Sequence, residues 1–549
     1  MATETRVDRK TSKLSLAYIL VAFTAFGLAA ICGVLQGMDR GGAVTMPTWL
    51  GYYQILTAHG VLMGLVFTTF FIVGFLFAGI ARTTGGSLTP AGARMGWIGY
   101  WLMVIGTAMD VVTILTNNAT VLYTFYAPMK ASPYFYIGAT LLIVGSWVAG
   151  WGMFHCFQTW RKNNPGQRTP LIAFTAVATM VLWQLATLGV AAEALLQLIP
   201  WSFGWVDKIN VVLSRTLFWF FGHPLVYFWL LPAYICWYTI MPKIVGGKVF
   251  SDAITRMVFV LFVLISTPIG FHHQLMEPGI SEKWKFLHVG LTMAIALPSM
   301  ITAFMLFATF ESVGRAKGAS GLFGWFKKLP WGDARFFSLF LAMLWFIPAG
   351  IGGIINASNQ LNAVVHNTVW VTGHFHLTVG TAVAMTFFAI SYWLIPHLTG
   401  RKLTKTANDI GKLQGVLWSI GMIFMSGSMH ILGLLGGPRR TAGTTYGDDP
   451  TALSWMPLHK LTMIGGIILF IAAVIQVSLV FYLAFKAPKG EEEFPVGEVA
   501  EEAQETPRIL ERWKIWVTLA VVLILIGYGI PITDMIQNPP PGVEGIRTW

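Results

Sequence analysis

Long apolar runs alternate with short polar, turn-rich stretches along the whole chain. A helix needs about 20 apolar residues to cross a bilayer, and thirteen runs reach that length. They are residues 14–36, 52–81, 96–116, 134–157, 169–199, 212–241, 255–276, 285–311, 336–354, 363–396, 410–436, 458–486 and 514–536. The runs are continuous and lack the period-two alternation of barrel strands. The expected fold is therefore an all-α polytopic membrane protein with about 13 transmembrane helices. No internal repeat is visible, so residues 1–549 read as a single transmembrane domain. The first run exceeds the roughly 7–15 apolar residues of a signal peptide and is expected to stay as an anchor.

Composition agrees with the pattern. Hydrophobic residues make up 55% of the chain and charged residues only 11%, against about 25% charged in soluble domains. That excludes a soluble enzyme and a disordered chain. The three cysteines, Cys32, Cys156 and Cys236, are far apart and form no C-x-x-C pair, which excludes a disulfide scaffold and a thiolate metal site. The net charge of +12 is not gathered into a basic stripe, so nucleic acid is not an expected partner. Counted on alternate sides of the runs, 26 Lys and Arg fall on the N-terminal side and 10 on the other. By the positive-inside bias the N-terminus is expected in the cytoplasm and the C-terminus outside the cell membrane. Residues 487–507, with seven Glu between 491 and 505, read as a flexible acidic cytoplasmic linker before the last helix.

Several of the twelve histidines lie inside apolar runs, where a lone imidazole commonly makes a helix-to-helix hydrogen bond. Depth argues for more than that. Taking the runs in alternating directions, His59, His223, His272, His273, His374 and His376 all fall in the outer half of the membrane. A shared depth suits a metal cluster, because neutral imidazole is the commonest metal ligand. His374 and His376 are two apart, so on a helix they point some 200° apart and serve different metals. His59 then becomes the second axial ligand for one of those irons. His223, His272 and His273 suit a separate copper-type site. Adjacent His272 and His273 can share one metal only if the helix ends or distorts there.

Tyr227 stands four residues after His223, one turn along the same face. Tyr227, Tyr234 and Tyr238 agree in helical angle within about 40°, and Ser299 and Thr302 share a face of the eighth run. Hydroxyls spaced in this way can pack helices or carry protons. Protons must enter without a lysine inside a run. Of the buried acids, Asp110 has no evident partner, and Glu193, near the outer end of its run, is expected to face water.

The motifs Gly222-His223-Pro224-Leu225-Val226-Tyr227, His272-His273 and Gly373-His374-Phe375-His376 resemble subunit I of the haem–copper oxidase superfamily, over about residues 50–440. Leu225, where the A-type branch carries Glu, makes the resemblance strongest to the B-type cytochrome c oxidases. The resemblance implies that His59 and His376 ligate a low-spin haem b and that His374 ligates a high-spin haem of a- or o-type. It implies one copper ion on His223, His272 and His273, with Tyr227 joined covalently to His223 as a redox participant. It implies a proton path over Tyr238, Thr302, Ser299 and Tyr234, and haem propionates held by Arg439, Arg440 and His366. The sequence departs from the B-type pattern at Asn362, where an amide replaces an Asp and puts a proton-loading role there in doubt.

The function implied is oxygen reduction to water with electrons from cytochrome c, coupled to outward proton pumping. Nothing in the chain can bind a dinuclear copper centre, so a second subunit must carry it. A nitric oxide reductase of the same superfamily would need an added Glu ligand and no crosslinking Tyr. A secondary transporter would need midplane sites and often repeats. A plain b-haem electron carrier leaves the three copper-type histidines unexplained.

Overall fold

The computed structural model describes residues 6–500 and 506–547. Twelve of its helices are long and apolar enough to span a membrane. They are α1 (Arg9–Arg40), α2 (Tyr52–Thr83), α3 (Pro90–Leu115), α4 (Pro133–Asn163), α5 (Leu171–Phe203), α6 (Val211–Val245), α8 (Glu282–Ala316), α9 (Ala334–Ala357), α10 (Val369–Thr399), α11 (Lys405–Leu434), α12 (Met456–Phe485) and α13 (Trp513–Gln537). The protein is a multi-pass membrane protein.

The seventh apolar run, residues 255–276, behaves differently. Its helix, α7, covers only Asp252–Ser266. Thr267 still has helical backbone angles, but Pro268 after it has no N–H to continue the ladder. The chain then runs irregularly to Ser281, with a single 3₁₀ turn at Phe271–His273. The distortion needed for His272 and His273 to act together is thus present.

Burial ranks the helices. In the most apolar windows of α2, α6 and α10, 83, 89 and 83% of the residues are buried, against 22% in α13. The three helices that are apolar all round are therefore the central ones, and they carry His59, His223, His374 and His376. Peripheral pairs approach through small residues. A Cβ on Gly99 would lie 2.5 Å from the Gly145 carbonyl, which seats α3 directly on α4. Among the described residues, five spans contain π-helical turns, one of them Ala194–Leu198 directly after Glu193 in α5. Val61–Phe67 follows His59, Thr378–Val383 follows His376, Cys236–Ile240 contains Tyr238, and Leu525–Gly529 lies in α13. Such turns commonly mark functional positions.

The acidic segment is not slack. Phe494 is buried against Trp393 and His397, and Arg335 meets Glu492 at 2.8 Å. Lys243 meets Glu493 at 3.3 Å. The Gly497 N–H donates to the Thr239 carbonyl at 2.6 Å. The expectation of a flexible linker fails for residues 487–500 because Glu491, Glu492 and Glu493 find basic partners in Arg6, Arg335 and Lys243; residues 501–505 lie outside the described residues. The last helix is fastened at both ends. Near its start, Glu511 accepts from Arg256 at 2.9 Å within a buried group that includes Asp252 and the Thr169 carbonyl. Beyond its end, strand β2 (Val543–Glu544) pairs with β1 (Lys208–Ile209).

Candidate functional site

His59 and His376 face one another across a cavity of ≈ 280 Å³ that both help to line. Their ring centroids are 6.3 Å apart and their planes differ by 14°. An imidazole nitrogen binds a metal at about 2.0–2.1 Å, so two rings on one ion stand roughly this far apart. The Nδ1 of His59 lies 2.8 Å from the Ala29 carbonyl, and that of His376 lies 2.8 Å from the Thr372 carbonyl. A carbonyl can only accept, so each Nδ1 carries the proton and each Nε2 is left as a free donor of electrons to a metal. A Cβ at Gly33 would come 2.9 Å from the His59 ring, so a glycine is what lets the ring lie there.

The second cluster comes from α6 and the turn after α7. Ligand atoms of His223, His272 and His273 lie within 4.8 Å of one another, the one such group among the described residues. His223 Nδ1 and His273 Nε2 are 3.3 Å apart. Thr292 Oγ1 donates to the His288 carbonyl at 2.6 Å, so it accepts from His272 Nδ1 at 2.9 Å. That leaves His272 Nε2 unprotonated. The His273 ring lies flat on Trp219, 3.8 Å between centroids and 6° between planes. Three neutral imidazoles with no carboxylate suit copper.

Tyr227 is one turn from His223, with ring centroids 4.9 Å apart. The Nε2 of His223 is buried and has no hydrogen-bond partner, so one edge of that ring is unused while the other faces the triad. His374 lies within electrostatic reach of His273. It does not share the His59–His376 cavity, as its two-residue offset from His376 requires.

At the rim of that cavity stand Arg439 and Arg440. Arg439 Nη2 donates to Asn367 Oδ1 at 2.9 Å, while its Nε is buried and unpartnered. Burial, reinforced by the charge of Arg440, pushes the Arg439 guanidinium down to about 10. Arg440 lies over Tyr126 and Tyr123 with φ +63°. Two cations crowded at a cavity mouth call for an anionic ligand, which propionates would supply. His366 Nδ1 donates to Asn362 Oδ1 at 3.1 Å, and Asn362 donates to the Asn356 carbonyl at 2.7 Å. Burial, then the charge of Arg439, lowers His366 to about 4.

Towards the N-terminal side, Tyr238 donates to Thr302 at 2.8 Å and Tyr234 to Ser299 at 3.3 Å. Thr302 in turn donates to the Pro298 carbonyl. The two tyrosines and two hydroxyl residues are therefore cross-linked between α6 and α8. Phe262 packs against both Tyr227 and Tyr234, at 5.4 and 5.5 Å between ring centroids.

With this geometry in view, the comparisons are decisive. The family model described as cytochrome c and quinol oxidase polypeptide I matches residues 13–468. The chain belongs to that family. It is 38% identical to cytochrome c oxidase subunit 1 of Thermus thermophilus over 98% of this chain and 97% of that protein. It is 24% identical to cytochrome c oxidase subunit 1 of Bacillus subtilis over 89% of this chain and 76% of that protein. A chain of a haem–copper terminal oxidase dimer solved by cryo-electron microscopy superposes with TM-score 0.93 and 37% identity, covering 99% of this chain and 96% of that one.

As an oxidase subunit I, the chain implies haems and a copper, and the residues present fit both. One expectation needs correction. Glu193 does not face water: it is fully buried, accepts from Ser214 at 2.7 Å, and its second oxygen has no partner. Asp110 is likewise buried, with one oxygen unpartnered. Sequence reading also passed over Thr292, Trp219 and His288. A His and a Thr four apart at 288 and 292, on one face of the span after the His pair, was the available signal.

Proposed function

We propose that this chain is the catalytic subunit of a B-type haem–copper cytochrome c oxidase, which reduces oxygen to water and moves protons across the membrane. The observation that carries the reading is the carboxylate-free His223–His272–His273 triad beside Tyr227, with His374 within electrostatic reach of His273 and His59 and His376 paired across their own cavity. His59 and His376 would hold low-spin haem b through Nε2, and His374 a high-spin haem of a- or o-type. Haems and copper, when bound, supply the electrons that oxygen reduction needs. Tyr227 holds a proton at its hydroxyl beside the triad and gives it up there, together with an electron. Tyr238, Thr302, Ser299 and Tyr234 pass protons inward from the N-terminal side. Arg439 and Arg440 neutralise and orient propionates, with His366 beside them.

Leu225 and Tyr227 favour this reading over a nitric oxide reductase. The positive-inside count supports a cytoplasmic N-terminus and an outer C-terminus. Electrons would then come on the outer side, from cytochrome c through a subunit with a dinuclear copper centre. The test is to purify the complex, quantify extracted haems and copper, and measure oxygen uptake with reduced cytochrome c. Two haems, one triad copper and four-electron reduction are expected. Iron in the triad with nitric oxide turnover, or no haem bands, would overturn the assignment.

A further inference from the structure

His288 of α8 is fully buried and belongs to neither metal set. Its Nδ1 accepts the backbone N–H groups of Gly270 at 3.0 Å and Phe271 at 3.2 Å. Its Nε2 lies 3.0 Å from the Gly527 carbonyl of α13. One tautomer satisfies all three bonds: Nδ1 bare, Nε2 protonated. Both nitrogens are thereby spent, so the ring has none left for a metal. Phe271 lies flat on it, 4.1 Å between centroids.

We infer that His288 is the positioning residue of the His272–His273 turn, and that it acts by locking that turn to the last helix. The inference rests on the reading of the triad as a copper site. The 3₁₀ turn uses its own carbonyls of Gly270 and Phe271 for the amides of His273 and Gln274, so the amides of Gly270 and Phe271 at its start must find acceptors elsewhere in an apolar interior. His288 supplies the acceptor at the start of the turn. Thr292, one helical turn on, accepts from His272 at the first copper-facing ring. The far anchor has a sequence cause. Pro531 is four residues after Gly527 and has no N–H, so the Gly527 carbonyl has no regular helical donor and is free for His288. Gly527 is needed for the same contact, since a Cβ there would meet the Pro268 carbonyl at 2.5 Å. Gly270 is equally confined, its Cβ position lying 2.6 Å from the Trp219 carbonyl.

The test compares His288→Leu with His288→Gln, whose amide offers one acceptor and one donor. Copper retained against a competing chelator is measured beside the visible spectra of both haems. His288→Leu is expected to lower copper affinity about 10- to 100-fold, with the low-spin spectrum unchanged, and His288→Gln to recover most of the loss. Pro531→Ala gives α13 its own donor for the Gly527 carbonyl and is expected to loosen copper without altering His288. It carries the test if His288→Leu does not fold. Wild-type copper retention in His288→Leu, or in Pro531→Ala where the leucine variant fails, would overturn the inference, as would equal loss in the Leu and Gln variants. Absence of copper from the wild-type enzyme would instead overturn the copper reading.

Discussion

A Cβ on Gly352 of α9 would lie 2.6 Å from Nδ1 of His374 on α10. That edge of the ring is held against backbone, so Nε2 is the edge turned away from α9. Gly352→Ala is therefore expected to displace His374 alone. Carbon monoxide binding at the high-spin iron should fall at least about tenfold, a loss of about 1.4 kcal/mol, with the low-spin signal intact. His59→Ala or His376→Ala should do the reverse. Loss of only the low-spin signal in His374→Ala would exchange the two assignments.

The proton path makes a second prediction. Tyr238→Phe removes the donor to Thr302, and Thr302→Val removes the acceptor. Either should slow turnover and proton uptake at least about tenfold while both haem spectra stay near normal. Wild-type uptake in both variants would remove the path. Because Phe262 packs against both Tyr234 and Tyr227, Phe262→Trp should slow the last transfer without affecting Tyr238.

Tyr227 is expected to be bonded covalently to His223. The unpartnered Nε2 of His223 and the adjacent Tyr ring supply the two ends. Mass spectrometry of a peptide covering residues 216–241 should find it lighter by two hydrogens. An unmodified mass in active enzyme, or full oxygen reduction by Tyr227→Phe, would contradict the assignment.

Residues 487–500 should resist proteolysis in the intact protein. Glu492 is tied to Arg335 and to the Leu403 N–H at 3.1 Å, so Glu492→Ala is expected to speed cleavage there about tenfold by easing local opening. Fast cutting of the wild-type segment would show that these contacts do not hold in solution.

Most of the fold was legible because membrane helices are written as long apolar runs, and no soluble alternative fits them. The six histidines were legible through shared depth, and His374 with His376 through helical angle. What escaped detection depended on partners distant in sequence. The acidic segment looks like a solvated charge run until Arg335 and Lys243 are beside it. Glu193 looks exposed by position, but it is fully buried and bonded to Ser214 of α6. The end of α7 was foreseeable as a distortion, whereas the bonds of His288 to two amides and to α13 needed three dimensions.

The support from α13 also has an order in time. A chain made from its N-terminus completes His59 and His376, with the carbonyls that orient them, before the last span exists. Gly527, by contrast, emerges 239 residues after His288, and until then the Gly270–His273 turn lacks its far anchor. On the proposed assignment the His59–His376 pair can therefore be in place before release from the ribosome, while the locked His272–His273 turn cannot. If the triad holds copper as proposed, the turn that carries two of its ligands is complete only once the last span has been made.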